Sequence, residues 1–153
     1  MADTQEIEIR LARREDLDVI VQLLARDSLL NEADRAGAGP DQLAAFEAMA
    51  AHPDNELVVA TLGDEVIGTL QLTFIPGLSF GGAWRAQVEG VRVREDLRGR
   101  SIGTHLMEWV ILRVRARGCR VVQLTSNRAR VDARRFYERL GFEATHIGMK
   151  LYL

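Results

Sequence analysis

At 153 residues, 47% hydrophobic and 27% charged, the chain has the length for one domain around one core, expected to span residues 1–153. That composition excludes a disordered or fibrous protein. The lack of an apolar run near 20 residues, with a start (MADTQEIEIR) that reads as no secretory signal, leads us to expect a cytoplasmic protein with no membrane partner. The net charge of −2 hides a split, since residues 1–60 hold 13 acids and 5 arginines while residues 91–135 hold 12 arginines and 4 acids. A polyanionic ligand is expected at the second stretch, and nucleic acid is not, because aromatic residues are scarce there.

In chain order, residues 7–11 alternate and predict a short strand. Residues 16–30 follow a helical pattern, with Leu17, Ile20, Val21, Leu24 and Ala25 at spacings of three and four. A Gly-rich connector at 31–40 precedes a second helix, capped by Asp41 and running to about Ala51, ahead of Pro53. Residues 56–62 and 65–75 predict two strands joined across Gly63 and Asp64 as a hairpin. A Gly-rich loop at 76–83 leads through Trp84 to a strand that takes in residues 87–93.

The most informative stretch follows: Arg98, Gly99, Arg100, Ser101, Ile102, Gly103. It joins that strand to a helix over 102–117 with an apolar stripe of Gly103, Leu106, Met107, Val110, Ile111 and Val114. Such a turn aims backbone N–H groups and the positive end of the helix dipole at one point, where a pyrophosphate can sit. His105 falls off the stripe and is expected to face solvent. Cys119 is the only cysteine; it precedes an apolar strand at 120–125 and is expected to be a buried structural thiol. A helix over 132–140 stops at Gly141 in the C′ position, and residues 142–153 are expected to form one or two closing strands. Three scattered histidines without ligand spacing give no metal site. The order βααβββαβαβ predicts an α/β (α+β) fold: a mixed, mostly antiparallel central sheet flanked by helices.

Glu89-Gly90-Val91-Arg92-Val93, the 98–103 turn, Asn127 and ARRFYERLGF from Ala133 to Phe142, in this order, resemble the Gcn5-related N-acetyltransferase superfamily. Its pyrophosphate signature, Gln/Arg-x-x-Gly-x-Gly/Ala, falls on Arg98, Ser101 and Gly103, with Ser101 replacing one glycine. Ser101 is expected to N-cap the helix, its hydroxyl being able to donate to a phosphate oxygen. The second half, with Leu124 to Asn127, Asp132, Ala133, Phe136, Tyr137, Gly141, Phe142 and His146, resembles the aminoalkylphosphonate acetyltransferase-like branch.

The resemblance implies direct transfer of an acetyl group from acetyl-CoA to a small amine, with no covalent enzyme intermediate. It implies that the strand bulges and splays, that Val91 and Val93 pair with the pantetheine arm, and that the Val91 N–H polarises the thioester carbonyl. Arg92 flanks them. The backbone of Arg98, Gly99, Arg100, Ser101, Ile102, Gly103 and Thr104 would hold the pyrophosphate. Asn127 would contact pantetheine, while Ala133 and Phe136 complete the cofactor side, Phe136 and Phe142 mainly by packing. Tyr137 would protonate the departing thiolate, a role that suits a phenol with pKa near 10. Glu89 is the candidate base for the substrate ammonium, acting through a water, with His146 or water alone as alternatives. The acceptor would be lined by 31–40, by 76–84 and by the C-terminal strands. Two other functions stay open: a peptide N-terminal or lysine acetyltransferase, and a non-catalytic acyl-CoA-binding regulatory module. A homodimer is within the family's range.

Overall fold

A computed structural model describes residues 6–25 and 37–153, which divide into two compact units, 1–123 and 124–153. The first unit opens with strand β1 (Ile7–Leu11) and helix α1 (Leu17–Ala25), entered through a 3-10 turn at Arg14–Asp16. The expected continuation of α1 to residue 30, and most of the 31–40 connector, lie outside the described residues. Helix α2 (Pro40–Ala50) starts one residue before the expected Asp41 cap. Pro40 takes the first helical position, where its missing N–H is no loss, and the Gly39 N–H donates to the Gln42 side chain at 2.9 Å. Strands β2 (Asn55–Leu62) and β3 (Glu65–Ile75) form the expected hairpin across Gly63, which adopts φ +58°. A four-residue helical turn, α3 (Ser79–Gly82), interrupts the expected loop before β4 (Arg85–Val93). Helix α4 (Ile102–Ala116) and strand β5 (Val121–Leu124) follow.

The sheet has the order β1-β2-β3-β4-β5, its first three junctions antiparallel. Arg120 N–H donates to the Trp84 carbonyl, and Gln123 pairs with Gln87, so β5 advances with β4 in the same direction. Ile102, Leu106, Met107, Val110 and Val114 of α4 are buried. Ile102 replaces Ile111 in the expected stripe, because Ile111 is only half-buried; His105 is exposed, as expected. Gly68 makes the docking of α4 close: a Cβ there would lie 3.1 Å from Leu106 Cδ1 and 3.2 Å from the Arg92 carbonyl oxygen. Ile20 and Leu23 of α1 pack with Val59 and Val66 in a buried cluster.

In the second unit, helix α5 (Val131–Arg139) ends as Gly141 dictates. Gly141 takes φ +94°, its N–H donates to the Glu138 carbonyl, and the Phe142 N–H donates to the Tyr137 carbonyl. The closing strands expected over 142–153 do not form. Ile147, Met149, Leu151 and Leu153 do alternate in the sequence, but all four are exposed and no ladder of backbone bonds forms there, so the pattern has neither a buried face nor a pairing to make it a strand.

One buried carboxylate ties β1 to α1. Asp16 is 5% exposed and takes two bonds from Arg10, at 2.7 and 3.0 Å, and one from the Arg13 N–H at 2.6 Å. The Arg10 guanidinium holds the Asp16 carboxyl below its ordinary range, against the opposing effect of burial. A lowered carboxyl stabilises the fold above its unfolded value near pH 4, and the contribution fades as pH falls through the folded value. Asp16→Asn should therefore cost about 2 kcal/mol at pH 7. In urea unfolding the gap to the natural protein should narrow below about pH 4; an equal gap at pH 7 and pH 3 would rule the ion pair out as its source.

Candidate active site

The first half of β4 follows strand rules, with Ala86 and Val88 buried on one face and Arg85, Gln87 and Glu89 on the other. At Gly90 the rule breaks. Gln71 of β3 stands opposite Glu89, whereas Thr69 stands opposite Arg92, so Leu70 faces both Gly90 and Val91. This is a β-bulge, and Gly90 supplies the left-handed residue it needs at φ +61°. A side chain there would meet Leu24 Cδ2 at 3.2 Å. The observed pairings of β5 fall on Trp84 and Gln87, while the bulged half of β4, from Glu89 to Val93, continues past them. Val91, Arg92 and Val93 are half-buried, and the Arg92 guanidinium donates to the Val91 carbonyl at 2.9 Å.

From Val93 the chain passes a 3-10 turn, Glu95–Leu97, into the expected phosphate turn. Two of its amides are already committed, Arg98 N–H to the Glu95 carbonyl and Arg100 N–H to the Leu97 carbonyl. Gly99 adopts φ +81° with open space where a Cβ would stand. Ser101 is not the cap expected of it. It adopts φ +63°, the left-handed region, and its hydroxyl makes no capping bond, because a capping side chain needs an extended backbone at that residue. The first helical bond runs from His105 N–H to the Ser101 carbonyl, so the amides of Ile102, Gly103 and Thr104 precede the ladder. Three N–H groups at the positive end of a 15-residue helix, beside an open glycine, suit the diphosphate of a nucleotide cofactor.

The second unit carries the other candidate residues. Asn127 folds its own turn: its side-chain oxygen accepts from the Ala129 N–H at 2.9 Å and its carbonyl from the Arg130 N–H. Ala133, Phe136 and Tyr137 share α5 and are half-buried. The Tyr137 ring lies edge-on to Phe136 and Phe142, with centroids 5.1 and 5.8 Å apart. Glu89 is exposed. His146 is exposed, with Nδ1 2.7 Å from the Thr145 hydroxyl. Cys119 is half-buried rather than fully buried, and burial pushes its thiol up, away from the thiolate a nucleophile requires. Among the described residues, no helix is long and apolar enough to cross a membrane.

The sequence matches the model of the acetyltransferase (GNAT) family over residues 23–142, and the chain belongs to that family. It is 30% identical over 139 residues to the aminoalkylphosphonate N-acetyltransferase of Salmonella typhimurium, covering 91% of this chain and 86% of that one. Among solved structures, a Bacillus halodurans chain described as a transcriptional regulator superposes with a TM-score of 0.92 at 42% identity, covering 97% of this chain and 100% of that one. A Trypanosoma brucei acetyltransferase superposes with a TM-score of 0.80 at 25% identity, covering 97% and 100%. The protein is thus an acetyl-CoA-dependent N-acetyltransferase of this fold.

Ser101 stands in a conformation that glycine adopts without strain. Ser101→Gly should raise stability by about 0.5–1 kcal/mol, the relief being partly offset by the freer unfolded chain. Ser101→Ala should gain nothing. Chemical denaturation of both variants decides it: a loss with glycine would mean that the hydroxyl stabilises the turn after all.

Proposed function

We propose that the protein acetylates a small amine of the aminoalkylphosphonate type, by direct transfer, with Tyr137 as general acid and Glu89 as general base. The observation that carries the reading is the continuity of β4 with the start of α4. A bulged half-strand with backbone to offer leads, through one short turn, to three uncommitted helix amides. An extended, amide-bearing arm that ends in a diphosphate fits that sequence of features. The likeness to the Salmonella enzyme over most of both chains supports the small acceptor over a peptide N-terminus or a lysine.

In this reading the cofactor brings the acetyl group as a thioester, and the protein's residues do the rest. The amides of Ile102, Gly103 and Thr104 hold the diphosphate, and the side chains of Arg98 and Arg100 add positive charge. Val91 offers its N–H to the carbonyl oxygen, where negative charge grows as the amine attacks. Glu89 takes one proton from the substrate ammonium through a water, freeing the lone pair that forms the N–C bond. Tyr137 gives its phenolic proton to the sulfur as the C–S bond breaks. The surplus proton left on the new amide nitrogen restores the phenol through solvent, and Glu89 gives up its proton to water, so the enzyme returns unchanged.

A regulatory module is the second reading, favoured by the description of the Bacillus halodurans chain. The arginines weigh against a nucleic-acid partner. Arg94 bonds Asp96 and Glu65, Arg113 bonds Glu56, and Arg117 bonds Asp54, so part of the basic stretch is neutralised within the fold.

Acetyl-CoA at about 100 times its Kd should stabilise the protein by roughly 2.7 kcal/mol, read as a rise in melting temperature. Gly103→Asp, which puts a carboxylate where the diphosphate approaches, should abolish that rise while the variant still melts cooperatively. A retained rise would place the diphosphate elsewhere.

Tyr137→Phe keeps the ring against Phe136 and Phe142, so melting and cofactor affinity should hardly change. Turnover with acetyl-CoA should fall by on the order of 10²-fold, and by less with a thioester of a more acidic thiol. Equal losses with both donors would make Tyr137 a positioning residue, and no loss would end its role.

A further inference from the structure

We propose that a cavity at the N-terminal end of β4 is an anion subsite for the acceptor, with Arg85 as the residue that selects substrates bearing a phosphonate, phosphate or similar dianion. This rests on the small-amine reading above and names the part of the site that recognises the group distal to the amine.

The cavity, of about 300 Å³, lies wholly in the first unit, between the 77–84 loop and the starts of β4 and β5. Its volume is at the small end for ligand pockets, which suits a compact metabolite. Trp84 and Phe80 form apolar walls, Ser79 and Gln123 add polar groups, and Arg85 supplies the charge. Arg85 is half-buried, and among the described residues no carboxylate pairs with it. That sets it apart from Arg10, Arg94, Arg113 and Arg117, each of which has one. A partly buried guanidinium without a counter-ion, in a cavity, is matched by an anionic ligand whose oxygens its planar fork can take two at a time.

The loop is built to leave that fork room. Gly77 lies against the guanidinium, and a Cβ there would stand 3.0 Å from Arg85 Nη1. Phe80 sits at φ +53°, a left-handed conformation rare outside glycine, and is 74% exposed at the rim. Held strain of this kind gathers at ligand sites.

The placement also suits the chemistry. Arg85, Gln87 and Glu89 share one face of β4, so the cation and the proposed base are two strand repeats apart, about 13 Å between Cα atoms. Gln87 between them is bonded to Gln123 at 2.7 Å. An acceptor anchored by its anion at Arg85 points a short alkyl spacer and its amine along the strand toward Glu89 and the bulge. A neutral or cationic amine lacks the anchor.

The test measures 2-aminoethylphosphonate binding by calorimetry without acetyl-CoA, and KM in turnover, for the natural protein, Arg85→Ala and Arg85→Lys. Arg85→Ala should weaken binding and raise KM by 30- to 100-fold. Arg85→Lys should recover part of that, as a point charge replaces a fork. With a neutral amine of equal length, KM should shift far less in either variant than it does with 2-aminoethylphosphonate. The subsite is overturned if Arg85→Ala binds 2-aminoethylphosphonate as the natural protein does, if the natural protein fails to bind it, or if the neutral amine loses equally. Intact, Arg85-dependent binding without any acetyl transfer would instead overturn the catalytic reading and leave the anion subsite standing.

Discussion

Gly90 sets the geometry that the candidate site depends on. Before it, β4 is an ordinary central strand, paired with β3 on one side and with the start of β5 on the other. At Gly90 an extra residue enters the strand, and from there register with β3 resumes one step out of phase. A bulge increases local twist and re-aims the backbone that follows. The departure is backed from the other side by α1, since a Cβ at this position would stand only 3.2 Å from Leu24 Cδ2. The backbone needs a residue that accepts φ +61°, and the close approach of Leu24 favours one with no side chain. Glycine meets both demands without strain.

What the bulge offers, α4 must complete, and its position is set by a second glycine. Gly68 lies across from Val93 in the register, and its missing side chain lets Leu106 and Ile102 settle close against β3. The helix start is therefore referenced to the same strand pair that carries the bulge. Arg113 reaches from the same helix to the buried carboxylate of Glu56, donating through Nε at 3.0 Å, and so ties its far end to β2. Both ends of α4 are held, which keeps its first-turn amides in a fixed place. Preorganised donors of this kind hold an anion without first having to be ordered.

The sequence spoke clearly where a residue's job is local. Most of the stripe of α4 (Leu106, Met107, Val110 and Val114), the Gly63 turn and the Gly141 stop follow from spacing or from one glycine's freedom, and the structure contains them. It spoke less clearly where the job depends on residues far along the chain. A serine before an apolar helix reads as a cap, yet the turn from Arg98 demands a left-handed residue at Ser101, and that demand prevails. Pro40 displaced Asp41 as the start of α2 because a proline at the first helical position needs no donor. The alternation over 147–153 is strand-like in pattern, but a strand also requires a neighbour, which no local pattern supplies. Arg85 gave no signal at all: its cavity combines residues 77–85 with 121 and 123, brought together only by the pairing of β4 with β5.

In the proposed reading, that pairing lets one strand serve two ligands. The first half of β4 has neighbours on both edges, so its backbone is committed and only its side chains are available; there Arg85, Gln87 and Glu89 present charge and polarity on one face. The second half has left the β5 pairings behind, so its backbone becomes the resource, and side chains such as Val91 and Val93 matter less than the groups between them. A side-chain surface recognises an acceptor of particular chemistry, whereas a backbone surface recognises an amide-bearing arm common to every acyl-CoA. Substituting Arg85 or Gln87 should therefore change which amine is used, while changes that flatten the bulge should weaken every reaction alike. In the proposed site, Gly90 would divide specificity from shared chemistry along a strand of nine residues.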